Sequence, residues 1–236
     1  MARLLQYLAN NRAEGSLAVK LRRQRFAFFR SLLESVPRPF RILDVGGTEQ
    51  YWGQMGFADE AGVEVVILNI DPVELTQKSG ETGRTRFSYQ QGDGRAMPQF
   101  SNGEFEVVFS NSVIEHVGTR DDRTRFMNEV ARVGVRFFVQ TPNFYFPIEP
   151  HFHVVGFQFM PVALRRWLLQ HFDLGWTPRT KDAQAAEDIV RGVELLSAQE
   201  LLGLCPSETR LYRERFFGLT KSITAHYGFG SAPIGK

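Results

Sequence analysis

Residues 41–48 read Arg41-Ile42-Leu43-Asp44-Val45-Gly46-Gly47-Thr48: a short apolar run carrying one acid and cut off by two adjacent glycines. The run suits a strand buried on both faces, and glycine directly after it lets the backbone turn tightly and approach a ligand. Similar runs recur downstream. Val63 to Ile70 is a β-branched second strand ending at Asp71-Pro72. Thr85 to Gln91 is a third, alternating Phe87 and Tyr89 with polar residues and stopping at Gly92-Asp93-Gly94. Phe105 to Phe109 and Val135 to Val139 are a fourth and fifth. Between these last two lies a helix that Thr119 caps; Asp121 and Asp122 suit its positive end, and Phe126, Val130 and Val133 face inward. Strands alternating with helices predict a parallel sheet covered on both faces.

The two ends differ from this middle. Over Ser16 to Val36, Leu17, Leu21, Phe28 and Leu32 recur at helical spacing, with Ser16 as N-cap and Pro37 and Pro39 as the stop. Its arginines Arg22, Arg23, Arg25 and Arg30 read as a solvated face rather than a nucleic-acid or lipid site. Near the other end, Ser197-Ala198-Gln199-Glu200 is a capping box opening a helix through Leu204. Two strands follow, near Thr209 to Arg213 and Leu219 to Ala225. The gap between them is too short for a helix, so they must run antiparallel.

The chain of 236 residues predicts one domain over 1–236, with an N-terminal helical segment over 1–39 and an insertion over 143–196. Its one cysteine, Cys205, excludes an internal disulfide and a cysteine-based zinc cluster. The basic-then-apolar start, Met1 to Leu8, is too short for a targeting segment, and no apolar run approaches the roughly 20 residues needed to span a bilayer. A cytoplasmic protein is expected. With 28 Lys and Arg against 26 Asp and Glu, the chain is not built to hold nucleic acid by charge.

Polar groups fall at successive strand ends, which is where such a sheet binds ligands. Asp44 with Gly46 and Gly47 closes the first strand. Asp71 follows the second, where a carboxylate can accept both ribose hydroxyls of an adenosine. Asp93, beside Gly94, follows the third and is placed for an adenine amino group. Ser110-Asn111-Ser112 follows the fourth, beneath the centre of such a ligand. Each alone has a plain reading as a turn or a cap; their sequence along four strands is what points to a site.

Ile42 to Gly47, Asn69-Ile70-Asp71, Gln91 to Pro98 and Phe105 to Val117 together resemble the successive motifs of class I S-adenosylmethionine-dependent methyltransferases. The resemblance covers Phe40 to Thr141, resumes at the C-terminal hairpin, and is most specific over Phe105 to Val117. It implies a Rossmann-like α/β fold: a mostly parallel seven-stranded sheet with a C-terminal antiparallel hairpin and helices on both faces. It also implies S-adenosyl-L-methionine as cofactor. Gly46 would pack against its amino-acid portion, Asp44 would hold its amino group or the loop, Asp71 the ribose and Asp93 the adenine. The family's glycine two positions after Gly46 is Thr48 here, and the next is Gln50.

A nicotinamide-dependent dehydrogenase would share the first strand and the acid on the second, but needs G-x-G-x-x-G for its pyrophosphate. Here Gly46-Gly47-Thr48-Glu49-Gln50-Tyr51 keeps only the first of those glycines. A non-catalytic interaction protein on the same scaffold is the other rival.

After Thr141-Pro142-Asn143 comes the insertion. Phe144 to Phe159 is dense in aromatics, and Pro161 to Phe172 is an amphipathic helix with Leu164, Trp167, Leu168 and Phe172 on its apolar face. Asp173 to Gly192 reads as polar and mobile. Loops inserted on this side of the sheet build substrate pockets, so the expected partner is a small-molecule acceptor such as an apolar metabolite. The run from Thr141-Pro142-Asn143 through Pro147 to His153 also resembles bacterial methyltransferases associated with surface-glycan genes, and that resemblance implies a glycan. A packed sub-core or a homodimer contact is the other use of the aromatics. If the acceptor atom is oxygen, His116, His151 and His153 are the candidate bases. Glu115 or a backbone carbonyl would orient His116, while His151 and His153, alternate on an extended segment, would point the same way. No metal is expected, since beyond Glu149 no third ligand stands near the two insertion histidines.

Overall fold

The computed structural model describes residues 17–76 and 83–230; the expected cap Ser16 and the segment Met1 to Leu8 lie outside them. The apolar runs form strands β1 (Phe40–Val45), β2 (Val63–Asn69), β3 (Arg86–Gln91), β4 (Val107–Asn111) and β5 (Phe137–Pro142). The hairpin adds β6 (Arg210–Phe216) and β7 (Leu219–Tyr227). The sheet order is β3-β2-β1-β4-β5-β7-β6. The first five strands pair in parallel, and β7 runs antiparallel to both β5 and β6. The expected fold is therefore present. The chain steps outward from β1 to β3 and returns to β4, so the topological switch point lies between β1 and β4.

The central strands are mostly apolar because both faces are covered, and successive residues serve opposite faces. Ile42, Val65, Ile67, Val107, Phe109 and Phe138 pack with α1 (Leu17–Leu33) and α2 (Glu49–Gln54). Leu43, Val66, Leu68, Val108, Phe137 and Val139 pack instead with α3 (Arg120–Val133). Thr119 caps α3 in a capping box with Asp122, as its sequence suggests. The β6–β7 turn is two residues long, Phe217 and Gly218, both with positive φ, which matches the strand twist.

Two expectations fail. The arginines of α1 are not simply a solvated face. Arg25 is buried and pairs with Glu214 of β6 at 2.8 Å, Arg22 is half-buried, and Arg30 pairs with Glu60. The i, i+3 and i+4 periodicity that placed Leu21 and Leu32 inward also turns Arg25 inward, toward an acid nearly two hundred residues away.

The insertion differs more. Beyond α4 (Val162–His171), the segment read as polar and mobile contains α5 (Ala183–Arg191), which Asp182 caps and which buries Ala186 and Val190. The helix α6 (Ala198–Gly203) then follows its capping box. With Phe152, Phe157, Leu169 and Leu174, Ala186 and Val190 form a separate small core. On α4 it is Leu169 that is fully buried; of the predicted inner face only Leu168 packs against this core, whereas Leu164, Trp167 and Phe172 are 43–52% exposed. The helical period holds and its phase is shifted by about one residue, because Ala186 and Val190 of α5 provide the surface that α4 meets.

Candidate cofactor and acceptor site

Gly46 and Gly47 end β1 at the switch point. Gly46 has φ of +80°, and a side chain there would meet Val113 at 2.6 Å. A Cβ on Gly47 would fall 1.8 Å from the Asp44 carboxylate, so the turn is packed directly on that acid. Trp52 of α2 fixes Asp44 by donating its indole N–H to Oδ2 at 2.7 Å. The other oxygen, Oδ1, is buried without a hydrogen-bond partner. Burial pushes the carboxyl up to about 7, against the downward pull of the Trp52 bond.

A cavity of about 220 Å³ opens here, lined by Asp44, Gly46, Gly47, Asn111, Tyr51 and Arg22 among others. Asn111 also presents a buried oxygen without a partner. The structure thus brings together Asp44, Gly46, Gly47 and Asn111. Asp71, Asp93 and Gly94 stand at the same carboxyl edge but do not line this cavity. Asp71 is exposed and accepts the Val73 N–H at 2.8 Å. Asp93 is gripped by the Arg95 guanidinium at 2.7–3.0 Å, and that hydrogen bonding holds its carboxyl below the usual range. A side chain on Gly94 would strike Val45 and Phe126, so packing alone requires glycine there.

Sequence reasoning missed Asn69. Its amide donates to the Gly47 carbonyl at 3.2 Å and accepts the Asp71 N–H at 3.1 Å, tying the ends of β1 and β2 together. Its place at the end of a strand two residues before Asp71 was the available signal. Trp52 and Arg22 were missed as well, and no local pattern reveals that either reaches the turn.

The loop after β4 joins this cavity to a second group of residues. Ser112, with a left-handed φ of +57°, donates its hydroxyl to Gln140, and Val113 covers Gly46. A single helical turn, Ile114–His116, then presents Glu115 and His116. Glu115 is only 1% exposed; one carboxylate oxygen accepts the Thr141 hydroxyl at 2.9 Å and the other has no partner. Burial pushes this acid up to about 7.

His116 and His151 face each other, Nε2 to Nε2, at 3.2 Å with perpendicular rings. Nδ1 of His116 lies 3.2 Å from the Gly192 carbonyl, and Nδ1 of His151 lies 2.6 Å from the buried Glu149 carboxylate. Of the two expected orienters of His116, the backbone carbonyl is the one used. Burial and the facing His151 lower the His116 pKa. For His151 burial acts downward too, but the Glu149 bond and charge outweigh it and raise the ring.

His153 does not point with His151. Its backbone is left-handed, φ +53°, which swings the ring edge-on to Trp176 at 5.3 Å. The insertion contributes nothing to the lining of the Asp44 cavity. It borders a second one of about 220 Å³, in which Phe144, Phe152 and Phe157 share the wall with Glu149, Arg123 and Arg165. A different grouping is present: ligand atoms of Glu115, His116 and His151 all lie within 4.8 Å of one another, two from the scaffold and one from the insertion, with His153 left out.

Residues 43–135 match the family model described as a methyltransferase domain. Uncharacterized proteins from two strains of Mycobacterium tuberculosis are 37% identical over 57 residues, which is 24% of this chain and 20% of theirs; the chain thus matches about a fifth of the length of these curated relatives. Among solved structures, a protein from Pyrococcus horikoshii OT3 aligns with a TM-score of 0.52 at 14% identity, covering 87% of this chain and 89% of that one. The CurJ carbon methyltransferase aligns with a TM-score of 0.51 at 15% identity, covering 82% and 50%. The matched segment runs from β1 through α3 and holds the glycine turn, the Asp44 cavity and the loop bearing His116. Residues 43–135 thus resemble a methyltransferase domain, and they lie on a Rossmann-like sheet.

Proposed function

We propose that this chain is an S-adenosylmethionine-dependent methyltransferase that methylates a small-molecule acceptor at oxygen. The observation that carries the reading is Asp44: a buried acid with one unpartnered oxygen, at the switch point, under a turn that admits only glycine. Such a group fits a cationic donor, and the ammonium of the cofactor's amino-acid portion is one. Gly46 and Gly47 then let the backbone close on that portion, Asp71 takes the ribose hydroxyls, Asp93 beside Gly94 takes the adenine amino group, and Asn111 lies beneath the sulfonium. When bound, the cofactor supplies an electrophilic methyl group. What remains for the protein is to position the acceptor in line and exclude water.

The insertion over 143–196 is the acceptor lid in this reading, and His116 with His151 is the group that activates the acceptor oxygen. His153, turned toward Trp176, shapes the lid. The mixed aromatic and charged wall of Phe144, Phe152, Arg123 and Arg165 suits a glycan or another polar metabolite with an apolar face. Among the described residues no helix is long and apolar enough to cross a membrane, and a cytoplasmic enzyme is the fitting setting. A homodimer or partner contact is favoured by one observation, the half-exposed Trp167, Phe172 and Trp176 on the insertion.

The test is a panel of hydroxylated acceptors assayed with wild type, His116→Ala and His151→Ala, with S-adenosylhomocysteine affinity measured in parallel. Loss of turnover with cofactor affinity intact supports the assignment. Full turnover in both variants removes these histidines from the chemistry. Tight RNA binding that falls steeply with salt would instead point to a nucleic-acid acceptor.

A further inference from the structure

We propose that Glu115, His116 and His151 form a binding site for one divalent transition-metal ion at the acceptor end of the fold. The starting point is the tautomers. A backbone carbonyl and a carboxylate accept hydrogen bonds and cannot donate them. Nδ1 of His116 faces the Gly192 carbonyl and Nδ1 of His151 faces Glu149, so in the neutral rings both protons sit on Nδ1. Both Nε2 lone pairs are then aimed at each other across 3.2 Å. Two lone pairs so close repel unless a proton or a metal ion lies between them.

An ion satisfies that geometry. Imidazole nitrogens bind zinc-like ions at roughly 2.0–2.1 Å, and at that length a 3.2 Å separation subtends an angle of about 100° at the metal. That is between the octahedral and tetrahedral values. The third ligand is the Glu115 carboxylate, buried at 1% exposure with one oxygen free of any hydrogen bond. The three ligand atoms lie within 4.8 Å of one another, and ligands about 100° apart on one ion stand roughly 3.2 Å apart. The carboxylate therefore needs to move in by up to roughly 1.5 Å.

The surroundings are those of a metal site as well. Ligating histidines donate their remaining ring N–H to a carboxylate or a backbone carbonyl, and here one does each. Glu149 is fixed in turn by the backbone N–H groups of His151 and Phe152, at 2.7 and 2.6 Å. Two imidazoles and one carboxylate favour zinc, iron, cobalt or nickel over magnesium or calcium, which prefer all-oxygen sites. Three protein ligands leave positions open for an acceptor hydroxyl, whose pKa such an ion would lower. This role deepens the proposed oxygen methylation and rests on it; the binding site itself does not.

The test uses Co²⁺ as probe, because its visible absorption reports coordination without any turnover. Protein stripped with a chelator is titrated with Co²⁺ at neutral pH, and Zn²⁺ is then added in competition. One equivalent bound, displaced by Zn²⁺, is expected. His116→Ala and His151→Ala should each weaken binding at least 100-fold, and Glu149→Gln 10–100-fold through its hold on His151. His171→Ala, on the exposed end of α4, should change nothing, and thermal melts confirm that each variant is folded. Absence of stoichiometric binding by folded wild-type protein overturns the proposal, as does binding unaffected by the His116 and His151 substitutions. S-adenosylhomocysteine titrated into the same stripped protein tests the methyltransferase reading separately. Cofactor binding without metal binding sinks only the metal site; metal binding without cofactor binding sinks only the cofactor assignment.

Discussion

Replacing Asp44 by asparagine should raise the stability of the free protein and weaken cofactor binding, two effects of opposite sign from one substitution. The carboxyl sits at about 7 in the fold because burial disfavours its charge, against 3.8 in the unfolded chain. Each unit corresponds to 1.36 kcal/mol, so the difference is about 4 kcal/mol. The direction follows from linkage. Between about pH 4 and 7 the folded state binds one more proton at this site than the unfolded state, so its contribution to stability falls as pH rises through that window. Above about pH 7 the full penalty is present. Asparagine keeps an oxygen for the Trp52 N–H and has no charge to bury. In urea denaturation, Asp44→Asn should therefore exceed wild type by only about 1 kcal/mol near pH 4.5 and by several kcal/mol at pH 8. Its S-adenosylmethionine affinity should fall at least tenfold. Wild-type binding at pH 6 should release a proton, visible calorimetrically as a dependence on buffer ionisation enthalpy. A variant that is no more stable than wild type at pH 8 would show that Asp44 carries no such penalty.

Gly47→Ala forces a methyl group into the Asp44 carboxylate that Trp52 holds, and should cost about 1–3 kcal/mol by thermal melting while abolishing detectable cofactor binding. Arg25→Met leaves the buried Glu214 with only the Lys221 ammonium at 3.9 Å, and should cost up to about 3–5 kcal/mol; adding Glu214→Leu should recover most of that, as denaturation of the single and double variants will show. Burial, aided by Arg210, depresses His226 to about 4, so the fold loses stability as pH falls from about 6.5 toward 4. Substituting His226→Phe should flatten that acid limb in melts taken across the window.

The order of strands and helices was legible because burial on both faces leaves a continuous apolar signature, as in Val63 to Leu68, and because caps such as Thr119 and Ser197 act within one turn of chain. The glycine turn and its acid were legible for the same local reason. What the sequence could not show was anything that depends on two distant segments meeting. Arg25 looks like its solvated neighbours until Glu214 is placed beside it. The phase of α4 depends on α5, whose buried face is just Ala186 and Val190. His151 and His153 look equivalent until the left-handed backbone at His153 sends one ring to Trp176 and leaves the other facing His116. Glu115, adjacent to a histidine candidate, becomes a ligand candidate only when the insertion folds back to the loop after β4.

Isothermal titration of the purified chain with S-adenosylmethionine, with a nicotinamide dinucleotide as control, bears most directly on the assignment of the carboxyl-edge cavity. One equivalent of S-adenosylmethionine should bind and the nicotinamide cofactor should not. Asp71→Ala and Asp93→Ala should each lose hydrogen bonds worth roughly 1–3 kcal/mol apiece, a weakening of about 5- to 150-fold. Unchanged affinity in a folded Asp71→Ala, Asp93→Ala double variant, or binding of the nicotinamide cofactor in place of S-adenosylmethionine, would contradict the assignment.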